Sequence, residues 1–292
     1  MKTDVLSWKW VCSTITLAIS LVATAPPVVA QSGSLLEPAV YEDRNNNDVF
    51  DLGDRDLSDL PAIEDIETTE SVVVNRLSLS VEPFTVKQIK AGKKVTIRGN
   101  VTMTKKQGEL RISARELRIA DNVSITVVSY VEVNISGPLI IGDNVKMRSL
   151  GKGPSMGYGT IFLRGKNIHT GANFYVAAYD VFSAEATEGE LSFGPQANLR
   201  TLAGPMFLQA TLLISAENAR SSINGKGGVD FVLENPAKGV VQITGSRLST
   251  GSEGQVSFYG GDVNFTPSLV SSPRYCLYYT NDNPHDVVCV EK

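Results

Sequence analysis

Four segments of the chain, IADNVSI, IGDNVKM, TGANFYV and PQANLRT, repeat one small pattern: Asn after Asp or Ala, then at once an apolar residue. The Asn residues are Asn122, Asn144, Asn173 and Asn198, so the intervals are 22, 29 and 25 residues. A turn recurring at that irregular period constrains the fold more than composition does. Asn enters the left-handed backbone region at small cost, and stacked Asn amides hydrogen-bond along the axis of stacked strands. One coil of a β-solenoid has this length. An immunoglobulin-like sandwich instead joins its strands through paired hairpins, with no shared turn at such a period.

Between the turns the chain alternates. Val95-Thr96-Ile97, Val101-Thr102-Met103, Leu110-Arg111-Ile112, Leu117-Arg118-Ile119 and Val123-Ser124-Ile125 each read apolar, polar, apolar. That is the period of a strand with one buried face. Gly, Asn and Asp interrupt these runs too often for helices of ordinary length. The stretch GVVQITGSRLSTGSEGQVSFYGGDVNF continues the rhythm. Over residues 85–266 the pattern resembles secreted bacterial right-handed β-helix proteins, including filamentous-haemagglutinin-like adhesins. The resemblance implies an all-β, parallel β-solenoid. At about 25 residues per coil that span makes roughly seven coils, and at ~4.8 Å between stacked strands a rod roughly 35 Å long.

The ends have a different character. Lys2 and Lys9 flank a short positive region, Val11 to Ala25 is apolar, and Val28-Val29-Ala30 precedes Gln31. This is the pattern of a cleaved secretory signal peptide, and the apolar run is shorter than the ~18–20 residues of a membrane span. No stable membrane span is expected after cleavage, and the expected location is secreted, cell-surface or periplasmic. Cys12 leaves with the signal, so Cys276 and Cys289 remain, an even count that in an oxidising compartment reads as one disulfide. They fall in RYCLYYTNDNPHDVVCVEK, where Tyr275 to Thr280 and Asp286 to Val290 read as a hairpin turning through Asn281 to Pro284. Such a hairpin covers the edge that a solenoid exposes at its end. The expected organisation is a signal peptide (1–30), an acidic loop module (31–70), a solenoid (71–267) and a cap (268–292).

The acidic module contains DRNNNDVFDLGD, Asp43 to Asp54. Counted from Asp43, side-chain oxygens fall at positions one, three and five (Asp43, Asn45, Asn47). A backbone carbonyl is available at seven (Val49), and carboxylates at nine (Asp51) and twelve (Asp54). This is the EF-hand spacing that wraps a chain round one Ca²⁺, with Phe50 at position eight as an apolar anchor. VYEDRNNNDVFDLGD also resembles the calcium loops of dockerins and of B-type repeats in bacterial adhesins. Carried over residue by residue, the resemblance implies Asp43, Asn45, Asn47, Val49, Asp51 and Asp54 as ligands. Two positions depart from the pattern: Asp48 stands at position six in place of Gly, and Asp54 in place of the longer Glu. An extracellular site of this charge binds calcium at roughly 10⁻⁵–10⁻³ M, which suits a structural role.

Charge is unevenly spread. Residues 37–70 hold twelve acids against Arg44 and Arg55, whereas residues 71–106 hold eight Lys or Arg against Glu82. The two stretches either lie against one another or form two independently solvated faces. No basic surface dominates a chain of net charge −4, and the acidic stretch repels phosphates, so a general nucleic-acid partner is excluded. His169 and His285 stand far apart without a Cys/His cluster, which argues against a zinc enzyme. GKGPSMGYG (151–159) lacks the Gly-Lys-Ser/Thr of a phosphate loop and reads as an insertion between coils. Asp121 and Asp143 hold equivalent places one coil apart. They read as turn residues, or else as a carboxylate pair at the spacing of a retaining glycosidase. Two classes of function follow. One is a non-catalytic, calcium-stabilised rod outside the cytoplasm, with cell-surface or matrix glycans or proteins as partners. The other is a β-helix enzyme acting on polysaccharide.

Overall fold

The structure is a computed structural model. It describes residues 37–58, 65–78, 86–104, 108–151, 159–216, 221–235, 237–266, 269–278 and 287–291, all within one compact unit, Glu37–Lys292. Among the described residues there are thirty-one strands and no α-helix. An antiparallel pair, β1 (Val40–Asp43) and β2 (Arg55–Asp56), comes first. Then β3 (Ile66–Thr68), β4 (Ser71–Val74) and β5 (Leu77–Ser78) form one rung, each in a different sheet. The same order recurs up to Val270–Ser271, giving nine rungs and eight steps between them. The sheets containing β4, β3 and β5 are called A, B and C. The all-β parallel solenoid expected from the turns is the fold. Its first rung opens at Ile66, earlier than residue 85, which adds rungs to the seven anticipated.

Constant register puts like side chains on top of one another. In sheet C, Val101, Ile125, Met147, Val176, Leu199, Ile223 and Leu248 form one inward column. None of them is more than 1 % exposed, and burying one such side chain is worth roughly 1.5–3 kcal/mol. Parallel sheets are usually covered on both faces and lose their alternation. Here the interior is covered and the outer face is wet, so the period of two persists. Near the last rungs the filling becomes aromatic. Phe231, Phe258 and Phe265 stack at 5.0 and 5.1 Å between ring centroids, and Tyr275 closes the stack edge-on at 5.7 Å from Phe265.

The Asn turns join the rungs. Asn122, Asn144 and Asn173 have φ of 63°, 57° and 56°, the left-handed region that Asn tolerates. Asn144 Nδ2 donates to Asn122 Oδ1 at 3.2 Å, and Asn173 Nδ2 donates to Asn144 Oδ1 at 2.9 Å. Backbone bonds reinforce this ladder: Asn122 N–H donates to the Asp143 carbonyl and Asn144 N–H to that of Ala172. The fourth expected member is displaced. Asn198 pairs with Tyr175 inside the next strand and is exposed, whereas Gln196 takes the left-handed place at φ 62°. Pro195-Gln196-Ala197 matches Ala172-Asn173-Phe174, because burial of Ala197 and Phe174 sets the register, not the Asn. The long 144–173 interval holds the insertion 151–159. Its ends, Gly151 and Gly159, both pack against Tyr179, while residues 152–158 lie outside the described ones.

Both ends carry antiparallel strands. β1 pairs with β4 from Val40↔Val74 to Asp43↔Ser71, covering the edge of sheet A. At the other end Arg274–Tyr278 pairs with Val287–Glu291, and Cys276 lies directly opposite Cys289 in a disulfide. The turn expected through Asn281 to Pro284 lies outside the described residues, as do the signal-peptide stretch and residues 59–64. The acidic and basic stretches meet. Asp48 pairs with Lys94 at 2.9 Å, Glu37 with Arg98 at 3.7 Å, and Glu67 and Glu70 with Lys90 and Lys93.

Candidate functional site

The Asp43–Asp54 loop hangs from the end of β1 and is held by its aromatic neighbours. Tyr41 is fully buried, and its ring meets Phe50 edge-on at 5.3 Å, the anchoring expected of position eight. The Tyr41 hydroxyl donates to the Asp48 carbonyl at 2.8 Å. Burial pushes the Tyr41 hydroxyl up to about 12, although Arg98 nearby acts the other way.

Within the loop the carboxylates order the backbone. Asp43 Oδ1 accepts the N–H groups of Asn46 and Asn47 at 2.7 and 3.3 Å, and its Oδ2 accepts that of Asp48 at 2.8 Å. Asp54 accepts the N–H groups of Arg44 and Asp51, both at 3.0 Å. Asn45 and Asn47 accept the N–H groups two residues on, from Asn47 and Val49, the bond of an Asx turn. Their amide nitrogens both donate to Asp51 Oδ2. The Gly53 N–H bound to Asp51 holds its carboxyl below the usual carboxylate range, and the two amides add to that. Val49 is half exposed. Five of the six expected ligands therefore share one network of side-chain hydrogen bonds, and the sixth, Val49, joins it through its N–H. Among the described residues, no group of three or more His, Cys, Asp or Glu side chains converges in the manner of a metal cluster.

Asp48, the departure at position six, does two jobs. Its φ is 60°, so the backbone takes there the left-handed turn for which an EF-hand loop keeps Gly. Its carboxylate reaches Lys94 Nζ and Thr96 Oγ1, both at 2.9 Å. The side chain that a Gly would lack is the one that ties the loop to sheet A. Beside it, Glu42 feels burial raising its pKa, but bonds from Arg44 and Thr68 outweigh that and leave the carboxyl below its ordinary value.

Asp121 and Asp143 are occupied as turn residues. Asp121 Oδ1 accepts the Asp143 N–H at 2.8 Å, and Asp143 Oδ1 accepts the Ala172 N–H at 2.7 Å. A Cβ on Gly142 would collide with the Asp121 carboxylate and one on Gly171 with that of Asp143, so glycine stands one rung on from each of them. A carboxyl that pattern reading did not single out is Asp230, in the strand Val229–Leu233. Burial raises its pKa, and a hydrogen bond with Ser257 acts in the opposite sense. Its only sequence signal is an acid at the polar place of an otherwise apolar run. Elsewhere in sheet B, two or more rungs from Asp230, Tyr130, Glu132, Phe162, Arg164 and Glu185 line a shallow depression of about 220 Å³. His169 sits on the outer face of sheet A, and His285 lies outside the described residues.

The chain matches no protein-family model, no curated protein and no solved structure. Among the described residues, no helix is long and apolar enough to cross a membrane.

Proposed function

We propose that this chain is a non-catalytic β-solenoid scaffold or adhesin, secreted or displayed at the cell surface in the manner of filamentous-haemagglutinin-like proteins. The observation that carries the reading is the rung-to-rung bonding of the turns. Asn122, Asn144 and Asn173 are linked amide to amide in one ladder, and the stacked Asp121 and Asp143 commit a carboxylate oxygen each to a turn N–H group. Side chains committed to stiffness make a rigid display surface. Calcium at the Asp43–Asp54 loop would add to this by locking the N-terminal cap. What supports that role is the donor set, hard oxygens only, and the left-handed φ of Asp48 at position six. Asp43, Asn45, Asn47, Asp51 and Asp54, with the Val49 carbonyl, would hold the ion, and Asn45 and Asn47 would have to present oxygen where they now present nitrogen to Asp51.

The second reading, a polysaccharide-degrading enzyme, draws on Asp230, a half-buried carboxyl that burial raises above its ordinary value, the direction in which a general acid is tuned. A glycan array run together with a degradation screen on mature protein decides between them. The scaffold reading expects retention of glycan or matrix partners with no release of reducing ends. Release that disappears in Asp230→Asn would replace it with the enzyme.

A further inference from the structure

The cations on the outside of the rod are not treated alike. On sheets A and B, Arg118 pairs with Glu116, Arg111 with Glu109 and Glu132, and Arg164 with Glu185. The strands of sheet C contain no Asp or Glu at all. Its outward cations, Lys146, Arg148, Arg200 and Arg247, are exposed. None of the four has an ion pair among the described residues. Two of them are nevertheless held in place: the Arg148 and Arg200 guanidiniums lie 5.3 and 5.7 Å from the Tyr175 ring centroid. Cation–π contacts fix a guanidinium without neutralising it, so its forked donors stay available.

A depression of about 340 Å³ opens beside them, lined by Asn100, Asn122, Ser124, Asn144, Lys146 and Arg148. Among the described residues Asn122 Nδ2 has no acceptor, since the Asn122 side chain joins the ladder through its oxygen. With Lys146 and Arg148 it makes a hollow rich in donors. Register sets the spacing along the rod. Arg148 and Arg200 are two rungs apart, or ~10 Å, and Lys146 and Arg247 are four rungs apart, or ~19 Å. A ligand that meets them all is long, extended and repeatedly negative.

We propose that the outer face of sheet C, with the hollow beside Lys146, binds a linear acidic polysaccharide lying along the rod. This inference rests on the adhesin reading and names its ligand class. Asn198 and Ser222 occupy places between Lys146 and Arg247, and Ser124 stands one rung before Lys146; their amide and hydroxyl groups suit sugar hydroxyls. Single-stranded nucleic acid needs open aromatic platforms, and the Tyr175 ring is already engaged by two guanidiniums.

Polygalacturonate is the probe, titrated into full mature protein at low and high salt, with dextran and duplex DNA alongside. The expected result is salt-sensitive binding of polygalacturonate only. Arg148→Gln with Arg200→Gln should weaken it by about tenfold or more at unchanged Tm. Arg164→Gln, which removes an ion-paired cation on sheet B, should leave it intact. Equal binding by both variants, or equal binding of DNA, overturns the assignment. Protein that ignores polygalacturonate yet is retained by another array ligand sinks the sheet C site and spares the adhesin reading. Release of reducing ends sinks the adhesin reading itself.

Discussion

Asp48 and Lys94, forty-six residues apart in sequence, join at 2.9 Å across the seam between the acidic loop and sheet A. Both side chains are largely buried, 22 % and 12 % exposed, so the pair is shielded from solvent on most sides. It links a loop of unusual polarity to the second rung of the rod. The charge imbalance between residues 37–70 and 71–106 is therefore spent, at least in four ion pairs, on closing the N-terminal end.

The first prediction concerns that pair. Asp48→Asn keeps a residue that tolerates positive φ and removes the charge, and Lys94→Met removes its partner. A double-mutant cycle should give a coupling of about 1–2 kcal/mol, between the values for exposed pairs and for buried charged hydrogen bonds. Amide exchange in β1 should quicken in each single variant. A coupling near zero would mean that the loop is held by Tyr41 and Phe50 alone.

The second concerns the ladder. Asn144→Leu loses left-handed tolerance and both amide bonds to its neighbours, so it should cost about 2–4 kcal/mol in chemical denaturation. Asn198→Leu alters an exposed strand position and should stay within about 0.5 kcal/mol. Equal losses at the two sites would contradict the displaced register of the fourth turn.

That contrast shows how much of the molecule was legible. Alternation and the Asn period imply stacked coils because the interior demands one buried face and the turn demands a residue tolerant of positive φ. They do not say which of two nearby polar residues takes the turn. Gln196 does so because burial of Ala197 and Leu199 fixes the phase, a decision made by packing and not by turn chemistry. The N-terminal cap was hidden for a related reason. Charge complementarity says that two stretches can meet, but the antiparallel pairing of β1 with β4 is a long-range contact with no local signal. In the loop, the spacing of Asp43, Asn45, Asn47, Asp51 and Asp54 was plain, while the bond from Asp48 to sheet A depended on the fold.

The third prediction concerns the far end. With Cys276 linked to Cys289, the closed loop restricts the unfolded chain by about 3 kcal/mol. Native protein should yield no free thiol. Reduction should speed exchange in Val287–Glu291 well before that in the rod, because the last strand is paired on one side only. Uniform loosening of all rungs on reduction would show that the cap and the rod unfold as one.

The fourth concerns pH. Glu42 is held below its ordinary value of 4.5, so the stability it contributes is present above that value and is lost as pH falls through its lower folded value. Tyr41 is raised from 10.0 to about 12, so its contribution is complete below 10.0 and is lost as pH rises towards 12. Protection of the β1 amides, measured relative to their intrinsic exchange rate at each pH, should therefore be greatest between these limits and fall on both sides. Tyr41→Phe should abolish the alkaline change and keep the acid one. An unchanged alkaline limb in that variant would assign the limb to another group.

The last prediction returns to the loop. An ion that binds only the folded cap stabilises it by RT ln(1 + [Ca²⁺]/Kd), or ~2.7 kcal/mol at a hundredfold excess over Kd. Calcium should thus protect residues 37–58 from proteolysis while leaving the rungs nearly unchanged. Asp43 is a poor test, because its carboxylate orders three N–H groups and its removal would unravel the loop with or without metal. Asp51 is the better one. It is only partly covered, and the amides of Asn45 and Asn47 already gather on its Oδ2. Asp51→Asn keeps the shape and removes a charge, so it should abolish a stoichiometric calcium isotherm while β1 exchange without calcium stays as in the parent. Asp56→Asn, in β2 beyond the loop, should leave the isotherm intact. Equal weak binding in all three proteins would mean that calcium merely screens an acidic surface and that the hydrogen bonds alone close the cap.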